Sequence, residues 1–142
     1  MEHAKIARLA LVKQRLRDAS RARLLDAERD LEASQNASRM AAEAFEKAHQ
    51  ALGAAGTFEV GDLELRARAV VERQVEVHRA ESAVRERHKI VEVHRAERIA
   101  AEREVHMMEH AEERAASAER REKDKREDAE RDDRTASRRR SA

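Results

Sequence analysis

The residues best suited to chemistry lie in one short stretch, HMMEH, which contains His106, Glu109 and His110. Histidines four residues apart share one face of a helix and can chelate Zn²⁺ or Ni²⁺, and the string matches the H-x-x-E-H pattern of some metallopeptidases. That chemistry also needs a third ligand and a water-excluding cleft. A folded-back chain could bring His3 toward residues 110–112, but nothing in the sequence supplies a cleft. We therefore expect surface histidines on a helix, with no functional metal site and no cofactor.

Other catalytic patterns are missing from the sequence. It contains no GxGxxG or GxxxxGK[ST] phosphate-binding loop, and its serines fall in helical stretches without the turn that exposes a nucleophile. Because 43% of the residues are charged, paired carboxylates are expected on the solvated faces of helices. Phe45 and Phe58 are the only aromatic residues that could line an enclosed cleft. We expect a protein that is not an enzyme.

The composition favours long helices over a compact domain. The chain has 142 residues with no Pro, Cys, Trp or Tyr and only three Gly, a pattern typical of coiled coils. The lack of cysteine fits a reducing compartment. The start lacks the apolar region of a secretory signal, and no run approaches the ~20 apolar residues of a membrane span. These features predict a cytoplasmic protein without direct membrane insertion.

Two heptad patterns predict the helices that would carry any site. Along the second half of the chain, every seventh residue is aliphatic with one exception: Leu63, Val70, Val77, Val84, Val91, Arg98 and Val105. In the first half, apolar or small residues alternate at spacings of three and four from Leu24 to Leu52. Upstream, Leu9, Val12, Leu16 and Ser20 continue this stripe through a stutter, an irregular step in the heptad spacing. Both stripes predict helices that pack along a seam.

All three glycines fall between residues 53 and 61, where they predict the turn between the helices. Asp62 is the expected N-cap of the second helix. We predict an all-α fold in which two long helices form an antiparallel coiled-coil hairpin over residues 1–110. Its parts are a helix over 3–52, a turn over 53–61 and a helix from 62. Facing residues then have numbers that add to roughly 115, so that Ile6 faces Met107 and Met108. Residues 111–142 are predicted to form a charged helical overhang with a disordered C-terminal tail.

Both ends of the chain are basic, although the formal net charge is +1. Residues 1–25 contain seven Lys or Arg against Glu2 and Asp18, and the last nine residues contain four Arg and no acid. Basic ends could bind nucleic acid, but acids are interleaved almost one for one after residue 26 and stacking aromatics are missing. We therefore expect the ends to meet an acidic protein surface and not nucleic acid.

The layout of the whole chain resembles the FliJ/YscO family of flagellar and injectisome type III secretion proteins. The resemblance rests on the basic opening KIARLALVKQRLRDASRARLLDAERDLEA, the short turn, the long second helix and the tail stretch RREKDKREDAERDD. Members are small cytoplasmic antiparallel hairpins, similar to the coiled-coil stalk of the rotary ATPase γ subunit. They associate with the hexameric secretion ATPase and the export gate. The resemblance thus implies a non-enzymatic stalk or escort protein, peripheral to a membrane export apparatus, with secretion chaperones as further partners.

The resemblance also implies two contact regions. Basic residues near the joined termini would bind the ATPase: Arg8, Lys13, Arg15, Arg17, Arg21, Arg23, Arg120 and Arg121. Residues around the middle of the hairpin would bind the export gate: Phe45, His49, Leu52, Val70 and Val77. The alternative is a generic coiled-coil adaptor or homo-oligomeric scaffold. A stable parallel dimer would favour the scaffold, whereas a monomer would favour the stalk.

Overall fold

Two long α-helices account for nearly all of the chain. The structure is a computed structural model that describes residues 2–54 and 56–141, with side chains from residue 4 onward. Helix α1 spans Glu2–Gly53 and helix α2 spans Val60–Ser141, with 52 and 82 residues. The described residues include no strand. The predicted all-α fold class, with two long helices packed against each other, is confirmed.

The connection between the helices is shorter than the sequence predicts, because both helices extend into the glycine-containing stretch. The backbone nitrogens of Asp62 and Leu63 donate to the Glu59 carbonyl at 3.1 and 3.2 Å. Glu59 therefore precedes the first turn of α2, and the prediction of Asp62 as N-cap is wrong. Asp62 lies within that first turn instead, where its carboxylate complements the positive end of the helix dipole.

Helix α2 continues to Ser141, where the sequence predicts a disordered tail. Glycine and proline do not occur after Gly61, so nothing in the covalent chain interrupts the helix. Every described residue beyond Ala116 is exposed. Ion pairs one turn apart line this segment, including Lys125–Glu122 at 3.4 Å and Arg134–Glu130 at 3.5 Å. The C-terminal segment is thus a helix supported by its own surface charges and not by packing.

The chain divides into two compact units, each containing a part of both helices, and the boundaries between the units fall within the helices. The second unit, Ser20–Arg98, is an antiparallel helical hairpin that includes the turn. Its core is a cluster of Leu24, Ala27 and Val91, with Leu31 packed against it. Ion pairs flank the cluster, Arg87–Asp30 at 3.6 Å and Arg95–Glu28 at 3.5 Å. A hairpin with so small a core depends on each of these side chains.

The first unit, Met1–Ala19 with Ile99–Ala142, also pairs the two helices in antiparallel fashion. Ala10 and Val105 are its buried hydrophobic residues among those described. Lys13 Nζ contacts Glu104 Oε2 at 2.6 Å, which fixes a register in which facing residue numbers add to about 117, close to the predicted value. Ile6 and Met108 are half-buried in this unit, whereas Met107 is exposed.

The predicted seam at the start of α1 is wrong. Leu9, Val12 and Leu16 are 53%, 50% and 49% exposed, and less exposed residues lie one position later along the chain, at Ala10, Lys13 and Arg17. These positions continue the three-and-four spacing back from Leu24 without interruption. A stutter would require local unwinding of the supercoil. The helix keeps its regular register instead, and the larger side chains point away from the seam.

Arg66 clamps the turn end of the second unit. One guanidinium nitrogen donates to the Ala51 carbonyl at 2.6 Å, and the guanidinium carbon lies 3.9 Å from the centre of the Phe58 ring. The Ala51 carbonyl is among the last of α1, which have no partner within the helix. We therefore expect Arg66→Ala to lower the free energy of unfolding by about 1 to 2 kcal/mol, as measured by urea titration followed by circular dichroism. Arg68→Ala, at an exposed site two residues later, is the control, and an equal loss in that variant would contradict the clamp.

Candidate functional site

The residues predicted to bind an ATPase are divided between the two units. The first unit contains Arg8, Lys13, Arg15 and Arg17 on α1 and Arg120 and Arg121 on α2, whereas Arg21 and Arg23 belong to the second unit. In the first unit, α1 thus carries four of the predicted cations within about three helical turns.

The four predicted ATPase-binding residues on α1 in the first unit differ in how much of the side chain is exposed to solvent. Arg8 and Arg15 are exposed. Lys13 and Arg17 are half-buried along the seam, where Lys13 pairs with Glu104 and Arg17 lies 3.1 Å from Asp18. Lys13 therefore stabilises the helix pair, and Arg8 and Arg15 are better placed to meet a partner.

Arg120 and Arg121 lie on the exposed part of α2 beyond the start of α1. With the register set by Lys13 and Glu104, these residues are about 16 Å farther along the helix axis than the level of Arg8. The structure does not bring them beside the α1 cations. The predicted overhang of α2 is present, but the C-terminal basic residues lie beyond the start of α1 and do not join the basic residues of α1.

In the second unit, Arg23 lines a shallow groove of about 210 Å³ together with Asp26, Asp30 and Arg87. The Arg87–Asp30 pair closes one side of the groove. Because two acids and two bases alternate there, the groove has no net preference for an anion. Arg21, which has its own partner, lies outside it.

The residues predicted to bind an export gate all belong to the second unit. Phe45, Leu52, Val70 and Val77 are half-buried along the seam, and only His49 of this set is exposed. The Phe45 and His49 rings stack with centroids 6.0 Å apart and planes at 21°. Most of the apolar surface of this set is therefore used within the hairpin.

Exposed apolar residues lie on α2 between and beside the residues of the predicted gate set. Leu65, Val71 and Val75 are each more than two-fifths exposed on α2. The adjacent valines Val70 and Val71 could have indicated an exposed apolar residue in the sequence, because two adjacent residues on a helix cannot both face one seam. A partner of this part of the hairpin would meet these side chains first.

The histidines of HMMEH each lie beside an acid one turn along α2. His106 Nδ1 is 3.3 Å from Glu109, and His110 Nδ1 is 3.8 Å from Glu113, all on exposed side chains. Among the described residues, no three histidine, cysteine or acidic side chains are grouped to hold a metal ion. The predicted approach of His3 to this region lies outside the described side chains.

An apolar stripe on α1 is the feature that the sequence prediction misassigned. The stripe consists of Leu9, Val12 and Leu16, each about half exposed, and exposed Arg8 and Arg15 lie beside it. Because Leu9 and Leu16 are one heptad apart, the stripe repeats at the spacing that a further helix could match. The unbroken spacing from Leu24 back to Ala10 was the signal that would have separated this stripe from the seam.

These features define an all-α coiled-coil protein whose surfaces are charged at the first unit and partly apolar at both. None of the described helices has a stretch long and apolar enough to cross a bilayer. The sequence matches no protein-family model, no curated protein and no solved structure.

Proposed function

We propose that this chain is a non-enzymatic central-stalk or escort component of a flagellar or injectisome type III secretion apparatus. In this role it binds the ring of the hexameric secretion ATPase and the export gate, in the cytoplasm at the periphery of a membrane export apparatus. The observation that carries the proposal is the surface of the first unit. There, Arg8 and Arg15 are exposed on α1, and α2 continues beyond them as a charged exposed helix.

The physics of a ring partner favours such a surface. A single copy of a two-helix chain cannot match the sixfold repeat of a ring, so its contacts with the six subunits must differ and exchange. Exposed charges on helices allow this, because they act over several ångströms and do not require one interlocking geometry. They also steer association and weaken as salt rises.

The second unit supplies the surface for the export gate in this proposal. His49 is exposed beside Phe45, and Leu65 and Val71 add exposed apolar area on α2. The hairpin can present these side chains without unfolding, because the seam is closed by other residues. Secretion chaperones are further partners that the proposal allows.

The test is to mix the full chain with the hexameric secretion ATPase of the same organism and to measure hexamerisation and ATP hydrolysis. We expect both to rise at low salt and to return toward the baseline at high salt. Arg8→Glu with Arg15→Glu should abolish the rise. Arg68→Glu with Arg85→Glu, at exposed sites in the second unit, is the matched control and should leave it unchanged. A folded chain that has no effect at low salt would refute the ATPase part of the proposal.

The second candidate is a coiled-coil adaptor or homo-oligomeric scaffold, which the exposed apolar stripe of α1 favours. Half-exposed leucines at heptad spacing are typical of helices that have a further partner. Light scattering on the purified chain separates the two candidates. A monomer supports the stalk, and a stable parallel dimer supports the scaffold.

A further inference from the structure

The start of α1 carries two sets of residues, offset by one position, that can face α2. The set that faces α2 in the structure consists of Ala10, Lys13 and Arg17, and we call it the inner seam. Each residue of the apolar stripe directly precedes one of the inner seam and is about half exposed. One position on an α-helix corresponds to a turn of about 100°. Turning the start of α1 by that angle about its own axis would therefore exchange the two sets.

The part of α2 that lies opposite suits either set. Val105 is buried, and Ala101 and Met108 are half-buried. In the register of the first unit, these three apolar residues lie at the levels of the inner seam, and the stripe is only one residue, about 1.5 Å, away along the axis. After the turn, the same three residues would receive the stripe without a shift of either helix along the other. The facing pairs would be Leu16 with Ala101, Val12 with Val105 and Leu9 with Met108.

Little holds the inner seam against α2. Its one buried residue is Ala10, and the other two are cations. Lys13 pairs with Glu104 at 2.6 Å, but their side chains are 34% and 46% exposed, so salt screens the pair. The turn would release both charges into water and leave no buried charge unpaired. The uninterrupted helix favours the inner seam, whereas the stripe offers more apolar area to α2 and needs a local unwinding.

The local unwinding has a definite place in α1. From Leu16 through Ser20 to Leu24, the stripe joins the later seam in two steps of four residues, which is a stutter. The division between the two compact units falls at the same place, between Ala19 and Ser20. The buried hydroxyl oxygen of Ser20 has no hydrogen-bond partner, so no side-chain bond of this residue has to break. The start of α1 can thus repack while the core cluster of the second unit stays intact.

We propose that the first unit is a two-state switch, in which the start of α1 turns about its own axis and packs either the inner seam or the apolar stripe against α2. The stripe state covers the leucines and presents Lys13 and Arg17 to solvent, so that an apolar surface is replaced by a basic one. Sulfate favours the stripe state, because it screens the Lys13–Glu104 pair and strengthens apolar burial. This inference goes beyond the proposed function and does not depend on an ATPase.

Helix α2 of the same molecule has an advantage over a second copy as the partner of the stripe. The covalent turn holds α2 beside α1, so its effective concentration far exceeds that of another molecule. Its apolar residues at this level face only Ala10 and two cations in the structure, which leaves them a better partner to gain. A second copy would have to cover the stripe from outside while the inner seam stays closed.

Disulfide trapping tests the switch, because the chain has no cysteine of its own. Two cysteines form a disulfide only when their Cα atoms approach within about 7 Å. Arg17→Cys with Ala101→Cys reports the inner-seam state, and Leu16→Cys with Ala101→Cys reports the stripe state. Arg15→Cys with Ala101→Cys, which uses an exposed position of α1, is the control. The rate of disulfide formation is measured for each pair at low salt and in rising sodium sulfate.

At low salt the Arg17 pair should form its disulfide fastest. In sulfate, the rate of the Leu16 pair relative to the Arg17 pair should rise about fivefold, the upper end of what one partly exposed ion pair contributes. The Arg15 pair should stay slow throughout. A ratio that does not change with sulfate would overturn the switch. Disulfides between two molecules, seen as a dimer on a non-reducing gel, would overturn it in favour of a second copy.

Variants without added cysteines on the seam shift the balance independently. In both cysteine pairs, Glu104→Gln should raise the same ratio about fivefold at low salt, because it removes the charge that holds Lys13. Glu122→Gln, which removes an ion-paired carboxylate from the exposed part of α2, is the matched control and should leave the ratio unchanged. Equal ratios in the two variants would overturn the switch. Circular dichroism confirms that each variant remains helical. Because no ATPase is involved, these results can fail while the proposed function stands, and the reverse also holds.

Discussion

Val91→Asp is expected to lower the free energy of unfolding by about 3 to 5 kcal/mol, the cost of an uncompensated buried charge. Val91 is the largest fully buried side chain among the described residues, and it packs with Leu24 and Ala27. A carboxylate in that position would have no cation to pair with inside the cluster. Because the core of the second unit is so small, thermal melting followed by circular dichroism should show most of the helix lost well below the wild-type midpoint.

Val93→Asp is the matched control for this prediction. Val93 lies two residues later on α2 and is 56% exposed, so the same substitution keeps its carboxylate in water. We expect a change within about 0.5 kcal/mol. Comparable losses in the two variants would mean that the cluster around Val91 does not hold the hairpin together.

Arg98→Val is expected to raise the free energy of unfolding by about 1 to 3 kcal/mol. Arg98 is the one residue that breaks the aliphatic heptad of α2, and its Nε atom is buried without a hydrogen-bond partner. Ser20, which is 3% exposed, likewise has a buried hydroxyl oxygen with no partner. Valine at position 98 removes the buried Nε atom that has no hydrogen-bond partner, and it restores the aliphatic heptad. Urea unfolding of the variant and the wild type measures the difference.

Arg85→Val separates this gain from a general effect of removing an arginine. Arg85 is exposed on the same helix, so its replacement should change stability by no more than about 0.5 kcal/mol. Ser20→Ala should add to the gain of Arg98→Val, since it removes the second unpartnered group. A variant at position 98 that is no more stable than the wild type would show that water or another group satisfies the arginine.

The two helices could be predicted because their signals are local. An aliphatic residue at every seventh position marks a helix face whatever lies far away in sequence, and one cluster of glycines leaves a single place for the turn. The limits of that turn were less predictable. They depend on which carbonyl accepts the first backbone hydrogen bonds of α2. The Glu59 carbonyl accepts from the amides of Asp62 and Leu63, so α2 begins before Asp62.

Hydrophobicity alone could not predict which residues at the start of α1 face α2. Leucines and a valine at positions 9, 12 and 16 compete with Ala10, Lys13 and Arg17 for the inward face. The larger residues would bury more area, but only through a stutter, whereas the smaller ones continue the established register. The regular heptad register continues to the start of α1, so Leu9, Val12 and Leu16 remain about half exposed.

The ion pairs between the two helices could not be predicted without knowing the register in which the helices pack. The sequence identifies Lys13 as basic and Glu104 as acidic, yet it does not show that they meet at 2.6 Å. An offset of a single residue would turn each side chain by about 100° around its helix and change its partner. Which cations face solvent therefore follows from the structure, although their presence follows from the sequence.

The exposed C-terminal part of α2 fixes how far the last residues lie from the packed part of the helix. From Ala116 to Ser141 the helix runs for 25 residues, about 37 Å. The exposed helix therefore acts as a spacer arm: a ligand bound by the arginines at 138–140 would lie at a fixed distance from the last packed turn. Since ion pairs between neighbouring turns stiffen that arm and salt screens them, its reach should become less well defined as ionic strength rises.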